Sequence, residues 1–423
     1  MYGPPPDPRQ ALAPTGPVEA WYAWVACVVV GLAIALIARP RRPFLFVLGM
    51  TIALTTPFAW FLPTYVYGAF PTTDKAGSLL FYLQGVHRHV LDAGDPAVKL
   101  IGVHVGHLWV TAFFDLFLQP FAAMNAQGLC NLVLNWWCAF LLLRELSGNR
   151  DASLLFGGVF GLGLHVFRDL NWYTIEKSGV YWLPLFAFAL ARAHRDRRFV
   201  GVAAAVYLGG AFYNLYWGVL NAAVGALALL YPSRNVRLAV LAGALAGLPL
   251  VALQLRVMQG PDALGDPETF LTQRAALDVF EVWPPRWNRL EAWRALDLVA
   301  LGLAAWGTPK NLRLAGVAAV SFVLSLGPQT PVYTTLVSVV PGLWRFAKPE
   351  TFFHLTWLAL LAIAARTAPA SPGKLRVLAA LMVAGWLASV RTHPVYPRFT
   401  QPVEVKLAPD WQRSGPKPGT LGR

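Results

Sequence analysis

An acidic and a basic residue stand together in the stretch "PTTDKAG", where Asp74 precedes Lys75. The stretch follows a long apolar run that ends in "WFLPTYVYG", so the pair comes where the chain is expected to leave a membrane. A carboxylate at that depth can take a proton from an incoming hydroxyl group or bind a divalent cation. The alternative is a solvated loop acid paired with Lys75. We therefore regard Asp74 as a candidate catalytic residue and Lys75 as a candidate substrate-binding residue.

A second group of polar side chains surrounds the short aromatic loop "FRDLNWYTIEKSG". Arg168 and Lys177 can hold a phosphate at the level of the lipid head groups, because both side chains donate charged hydrogen bonds to phosphate oxygens. Glu176 lies beside Lys177 and completes this candidate substrate-binding group. Anchoring to lipid head groups, with a local Glu–Lys pair, accounts for the same residues without a substrate.

The stretch "LWRFAKPETFFHL" carries two cations, Arg345 and Lys348, beside the aromatic residues Trp344 and Phe346. Two cations next to aromatic rings suit a phosphate group that is joined to an apolar tail. The same pair is also typical of basic side chains that extend from a membrane surface toward water. His354 follows, one turn into the next apolar run, as either a substrate-binding residue or a core histidine.

Histidine and cysteine spacings show no metal-binding motif. His104 and His107 share a helix face, but no H-E-x-x-H or cysteine-containing pattern accompanies them, and zinc requires further ligands. We therefore assign no metal ligand and leave the cofactor unknown; a divalent cation is compatible with Asp74 but is indicated by no motif. All three cysteines lie inside apolar runs, which is typical of buried packing.

The composition excludes a soluble protein. The chain of 423 residues is 56% hydrophobic and only 13% charged, whereas soluble domains are about 25% charged. The net charge of +14 would suggest nucleic acid as a partner of a soluble protein. In a membrane protein it follows from basic cytoplasmic loops, so we predict no nucleic-acid partner.

Apolar runs separated by short breaks predict an all-α fold, a polytopic bundle of about twelve transmembrane helices. The predicted spans are 20–38, 44–62, 122–143, 152–167, 179–191, 199–213, 217–231, 238–257, 296–307, 314–327, 351–365 and 376–391. The stretch "SLLFYLQGVHRHVLDAG" has apolar residues at helical spacing with polar residues between them, so we expect an interfacial helix there. The stretch "IGVHVGHLWVTAFFDLFLQP" is expected to form a re-entrant or interfacial pair of helices.

Loop charges predict the sidedness of these spans. With the "RPRRP" break in the cytoplasm, sixteen of the 35 Lys and Arg residues fall in short inside loops, as the positive-inside rule requires. Eighteen of the 21 Asp and Glu residues then lie on or near the outer face. The longer, aromatic-rich loops lie there too. We therefore expect the functional site on the outer face and both chain termini outside.

The predicted domain organisation is simple. Residues 1–19 are a disordered Pro-rich lead, and 20–391 form a single transmembrane domain. Residues 392–423 are a short outer-face tail. The outer-face loops of the domain are 63–121, 168–178, 258–295 and 328–350.

Several stretches follow one another in a characteristic order: Asp74 in the first large outer loop, "LLFYLQGVHRHVLDAGDP", "WLPL", "NLYWG", "LDVFEVWPP" and "PGLWRFAKPETF". In this order, over about residues 63–368, the chain resembles the GT-C superfamily of membrane glycosyltransferases, particularly its YfhO-like bacterial multispan members. The resemblance implies an inverting hexosyl- or pentosyl-transferase of the bacterial cell envelope, located in the inner membrane.

The resemblance also implies roles for individual residues. Asp74 takes the position of the first-loop carboxylate, acting as general base or metal-site ligand. Arg345 and Lys348 match a segment near the membrane surface that binds the phosphate of a polyprenyl-phosphate sugar donor. An acceptor hydroxyl attacks the anomeric carbon, and the lipid phosphate leaves. Membrane lipids are the remaining expected partners.

Two other functions stay open. A transporter or flippase for a lipid-linked or small polar substrate would carry ionisable residues near the bilayer midplane and internal repeats, and few midspan charges are visible. His165, Asn131, Asn135 and Asn214 are polar positions within the spans, which can simply bond neighbouring helices. A non-catalytic scaffold related to these enzymes would tolerate loss of Asp74.

Overall fold

The computed structural model describes the helical body of the chain and three short strands. The described residues are 12–17, 21–38, 41–55, 65–66, 106–107, 109–118, 120–163, 166, 175–230, 233–257, 292–327, 330–339, 349–369, 371–392 and 403–407.

Helices account for most of the described residues. They are α1 (Trp21–Ala38), α2 (Pro43–Thr55), α3 (Pro120–Ser147), α4 (Arg150–Gly161), α5 (Ile175–Ser178), α6 (Trp182–Ala193), α7 (Phe199–Tyr213), α8 (Leu215–Leu229), α9 (Arg234–Val257), α10 (Ala292–Gly307), α11 (Leu312–Ser325), α12 (Pro331–Val339), α13 (Phe353–Thr367) and α14 (Pro372–Thr392). Two 3-10 turns, Thr308–Lys310 and Pro349–Phe352, precede α11 and α13.

Each of the twelve predicted spans coincides with one of these helices. By length and composition, one segment of the described residues, Ala123–Ser147 within α3, is long and apolar enough to cross a membrane. Shorter apolar helices accompany it, including α1, α2, α6, α7, α8, α11 and α13. The helical fold class is therefore confirmed for the described helices, whereas the number of spans stays a prediction.

Large apolar side chains on the outside of these helices support the membrane prediction. Ile37 of α1, Leu245 of α9, Trp306 of α10 and Leu381 of α14 are all largely exposed. Large apolar side chains exposed in this way are unfavourable in water, but they are what a helix presents to lipid. In the stretch predicted to form a re-entrant or interfacial pair of helices, residues 109–115 are helical, and Phe117, which follows them, is likewise exposed.

A small antiparallel sheet corrects the prediction for the two ends of the chain. Strands β1 (Leu12–Pro17), β2 (Tyr65–Val66) and β3 (Val403–Leu407) pair in the order β1-β3-β2. The sequence "VEVKL" of β3 alternates apolar and charged residues, which suits a central strand. β1 lies at an edge, where prolines are tolerated because one side of the strand needs no donors. The lead is therefore not wholly disordered, and the fold is not purely helical.

Contacts divide the chain into two compact units, which the prediction of one domain does not anticipate. The first unit holds Met1–Leu134, Leu164–Gly179 and Arg391–Arg423, and the second holds Asn135–Gly163 and Val180–Val390. One division falls between Leu134 and Asn135, inside α3. No Pro, Gly or charge marks that position, so the sequence carries no signal for it.

In the first unit, α1 and α2 form a hairpin whose backbones touch through glycines. A Cβ atom at Gly49 would lie 2.6 Å from both the Ala35 nitrogen and the Gly31 oxygen. A Cβ atom at Gly31 would lie 2.5 Å from the Ala53 nitrogen. Such close approach between apolar helices is possible only with small residues at the contact.

In the second unit, α13 is the most deeply buried helix, and it packs against α4, α10 and α11. Arg366, in the last turn of α13, forms hydrogen bonds to residues at the ends of two other helices. The Arg366 guanidinium donates from Nε to the Leu146 carbonyl and from Nη1 to the Asn311 side-chain oxygen, both at 2.8 Å. The last turns of α3 and α13 are thereby joined to the start of α11.

Candidate functional site

The structure tests only part of the predicted site. The predicted site residues that lie outside the described residues are Asp74, Lys75, Arg168, Arg345 and Lys348. Their roles stay predictions. Glu176 and Lys177 belong to α5, which lies in the first unit. His354 belongs to α13, which lies in the second unit.

Helix α5 holds Glu176 and Lys177 in the first unit, where a buried hydrogen bond anchors the helix. Asn131 of α3 donates from Nδ2 to the Ser178 hydroxyl at 2.9 Å, and both side chains are buried. The Lys177 side chain is only 9% exposed. A lysine that anchors the chain to lipid head groups would be more exposed. The burial of Lys177 therefore favours a cation inside the fold over a head-group anchor.

A second polar group in the first unit involves His107, which shares a predicted helix face with His104. Its backbone carbonyl accepts from Thr111 Oγ1 at 3.0 Å and from Gln127 Nε2 at 3.1 Å, and Thr111 and Gln127 also bond each other. These bonds fasten residues 106–115 to α3. Among the described residues, no three His, Cys, Asp or Glu side chains form a group that could hold a metal ion. His104 lies outside them.

In the second unit, α8 presents a buried polar stripe. Asn214 caps the helix, accepting from the Tyr216 backbone N–H at 2.8 Å. Trp217 and Asn221 follow at i+3 and i+7 on the same helix face, and all three side chains are fully buried. Within the described part of the chain, the Asn221 amide makes no hydrogen bond.

His354 lies in the first turn of α13 and packs on this stripe. Its ring centre is 5.8 Å from that of Trp217, with an angle of 50° between the planes, and its side chain is 3% exposed. The structure therefore places His354 in the interior. The Pro349–Phe352 turn leads into α13, and Lys348 immediately precedes that turn in the sequence.

Aromatic rings extend the stripe toward α6. Tyr181, Trp182 and Tyr213 stack with ring centres 4.9 to 5.9 Å apart. Gly210 makes room for this contact, because a Cβ there would lie 2.8 Å from Asn221 Nδ2 and 3.4 Å from the Trp182 Cβ. The buried Trp182 indole N–H has no acceptor among the described residues.

The arrangement therefore brings aromatic faces and a few polar groups together in the interior of the second unit. Ligand sites commonly combine these features. Trp182 and Asn221 were not predicted as site residues. Trp182 could have been found from the "WLPL" stretch, whereas Asn221, inside "GVLNAAVGAL", carries no local signal because its burial depends on which face of α8 packs inward.

No family model matches the chain, and no curated protein matches it. Among solved structures, the chain is similar to the arabinofuranosyltransferase AftD from Mycobacteria, determined by single-particle cryo-EM, with 14% sequence identity and a TM-score of 0.47. The similarity covers 90% of this chain and 28% of AftD. A similarity of this size does not by itself establish a shared activity.

Proposed function

We propose that the chain is a membrane glycosyltransferase of GT-C type. It transfers a sugar from a polyprenyl-phosphate donor to an acceptor hydroxyl at the outer face of a bacterial inner membrane. Asp74 is the catalytic carboxylate, and Arg345 and Lys348 bind the donor phosphate. Lys177 and Arg168 contribute further cations to substrate binding.

One observation carries this proposal: three separate stretches on which the family resemblance rests meet in the second unit. "WLPL" reaches "NLYWG" through the Trp182–Tyr213 contact at 5.9 Å, since Tyr213 directly precedes Asn214. "NLYWG" comes close to the end of "PGLWRFAKPETF" through the Trp217–His354 contact at 5.8 Å, since His354 lies two residues past that stretch. Stretches that are separated in the sequence and come together in the fold are expected of a site, and the last of them contains Arg345 and Lys348.

The proposed reaction is a single displacement. The acceptor oxygen forms a bond to the anomeric carbon while the bond from that carbon to the phosphate oxygen breaks, with inversion of configuration. The hydroxyl proton passes to the Asp74 carboxylate. The electron pair of the broken bond leaves on the polyprenyl phosphate, whose charge Arg345 and Lys348 stabilise. No step of this scheme requires a metal ion.

Lipids retained by the purified protein test the donor site directly. Mass spectrometry of the wild-type protein is expected to show a polyprenyl phosphate or its glycoside. The double variant Arg345→Ala/Lys348→Ala is expected to lose it, because the two phosphate-binding cations are gone. The matched control is Lys310→Ala/Arg313→Ala, which removes one exposed Lys and one exposed Arg at the predicted inner face and should retain the lipid.

The Asp74→Asn variant separates catalysis from binding. At equal protein level it should retain the donor lipid but abolish the glycan product in cells. Unchanged product would exclude Asp74 as the catalytic residue and favour a scaffold. Bulk phospholipid alone in the wild-type protein, unchanged in the double variant, would contradict the transferase proposal and favour a transporter.

A further inference from the structure

A cavity of about 500 Å³ in the second unit lies at the opposite, predicted cytoplasmic, end of the helices. The C-terminal ends of α3 and α6 and the turns that follow them form its walls. This volume is within the usual range for small-molecule sites. The proposed transfer reaction makes no use of the cavity.

Three arginines and one glutamate line the cavity. Arg195 Nη1 contacts Glu145 Oε1 at 2.9 Å, and Arg192 Nη1 contacts Glu145 Oε2 at 3.4 Å. Within the described structure, Arg144 pairs with no carboxylate. One carboxylate therefore faces three guanidinium groups, and the cavity carries a net positive charge.

The Glu145 side chain is less exposed than those of its two arginine partners. Its side chain is 13% exposed, compared with 43% for Arg192 and 67% for Arg195. Each guanidinium has five N–H donors, and each contact with Glu145 is made through a single nitrogen. Donors for an additional anion are therefore available on the cavity wall.

Packing holds the central arginine in place. The Arg192 guanidinium lies 5.5 Å from the centre of the Phe199 ring, and Phe199 in turn contacts Phe188 edge to face at 6.0 Å. A cation fixed in this way loses less conformational freedom when it binds an anion. Two of the arginines also sit in the last turns of helices, where they offset the carbonyl dipoles. Offsetting a helix dipole would not by itself require the two arginines to line a cavity.

The cavity is apolar on its other side. Leu141 lies one turn before Arg144 on α3, and Phe188 lies one turn before Arg192 on α6. Both residues line the cavity on the membrane side of the arginines. An occupant with an anionic group and an apolar tail matches this division, because the anionic group would meet the arginines and the tail would meet Leu141 and Phe188.

We propose that this cavity binds the phosphate group of an anionic phospholipid of the cytoplasmic leaflet, with the acyl chains against Leu141 and Phe188. Basic pockets between helices on the cytoplasmic side suit such head groups. Free inorganic phosphate shares the anionic chemistry but cannot use the apolar wall.

Native mass spectrometry of the purified full-length chain in a neutral detergent tests this site. The probes are phosphatidylglycerol, the zwitterionic phosphatidylcholine and diacylglycerol, which lacks phosphate. Phosphatidylglycerol is expected to bind best. Arg144→Gln should weaken its binding by about tenfold, the effect of losing one charged hydrogen bond. Glu145→Gln should strengthen it several-fold, since the variant removes the competing carboxylate.

Arg198→Gln is the matched control. Arg198 is an exposed arginine in the turn after α6, which also holds Arg195, but it does not line the cavity. Its substitution should leave phosphatidylglycerol binding unchanged. If Glu145→Gln fails to fold, the exposed Arg144 still provides the test. Equal binding of the three lipids, or no effect of either variant, would overturn the proposal. Full displacement of phosphatidylglycerol by millimolar inorganic phosphate would overturn the lipid assignment.

Discussion

Buried asparagines are the side chains whose roles the structure defines most clearly. The sequence suggested that Asn131 and Asn214 bond neighbouring helices. Asn131 does so, since it donates to Ser178 and thereby fastens the four-residue helix α5 to α3. Asn214 caps its own helix, because its side-chain oxygen accepts from the Tyr216 N–H. The first bond bears on the proposed site because α5 carries Lys177 and Glu176.

Loss of the Ser178 hydroxyl should loosen α5. We expect Ser178→Ala to lower the free energy of unfolding by about 1 kcal/mol, because one buried hydrogen bond is lost without a large change in packing. Hydrogen exchange of the amides at 175–178 should become faster. Thermal unfolding and hydrogen exchange of the purified protein measure the two effects.

Ser338→Ala is the control for that substitution. Ser338 is exposed on α12 and, among the described residues, donates only to the Thr335 carbonyl of its own helix. Its replacement should leave both stability and exchange at 175–178 unchanged. If Ser178→Ala is equally neutral, the Asn131–Ser178 bond does not position α5.

At the scale of elements, small residues decide which helices can touch. The α1–α2 hairpin depends on Gly31 and Gly49, as described above. The α3–α4 hairpin uses the same device, because a Cβ at Gly161 would lie 2.5 Å from the Trp136 nitrogen. In that hairpin, Trp136 Nε1 also donates to the Leu154 carbonyl at 2.7 Å. Close backbone approach and a buried hydrogen bond together fix these pairs.

Gly49→Val should therefore separate α1 from α2. The added side chain would meet backbone atoms, which can be relieved only by moving a whole helix. We expect the free energy of unfolding to fall by roughly 2–3 kcal/mol. The matched control is Gly201→Val on α7, where a Cβ would meet no atom within 4 Å. Equal melting temperatures of the two variants would contradict the close contact.

At the scale of the whole molecule, charge determines the expected orientation in the membrane. Arg144, Arg192, Arg195 and Arg366 all belong to breaks that the positive-inside rule assigns to the cytoplasm. The proposed transferase site and the proposed phospholipid site depend on opposite faces of the membrane. Sidedness is therefore the property on which both proposals can be checked together.

Cysteine labelling measures that sidedness. In a background whose three native cysteines are replaced by alanine, Asp196→Cys should react with a membrane-impermeant maleimide only after the cells are permeabilised. Ala263→Cys, in the loop 258–295, should react in intact cells. The reverse pattern would invert the orientation and would move Asp74 to the cytoplasmic side.

The sequence by itself determined the helical class and the approximate positions of the helices that it predicted as spans, because apolar runs and their Arg- and Pro-bearing breaks are local signals. It also indicated Asn131 as a bonding position and His354 as a possible core residue. It mistook the ends of the chain, because pairing of Leu12–Pro17 with Val403–Leu407 joins segments nearly four hundred residues apart. No local pattern reports a partner at that distance.

Only the tertiary structure decided which polar side chains are buried together. Trp182 contacts Tyr213, and Trp217 contacts His354, across different helices, and these contacts depend on which face each helix turns inward. The arginine cavity depends likewise on two helix ends meeting around Glu145. A sequence specifies each helix through nearest-neighbour chemistry, but packing between helices is settled by the sum of many weak contacts across the whole fold.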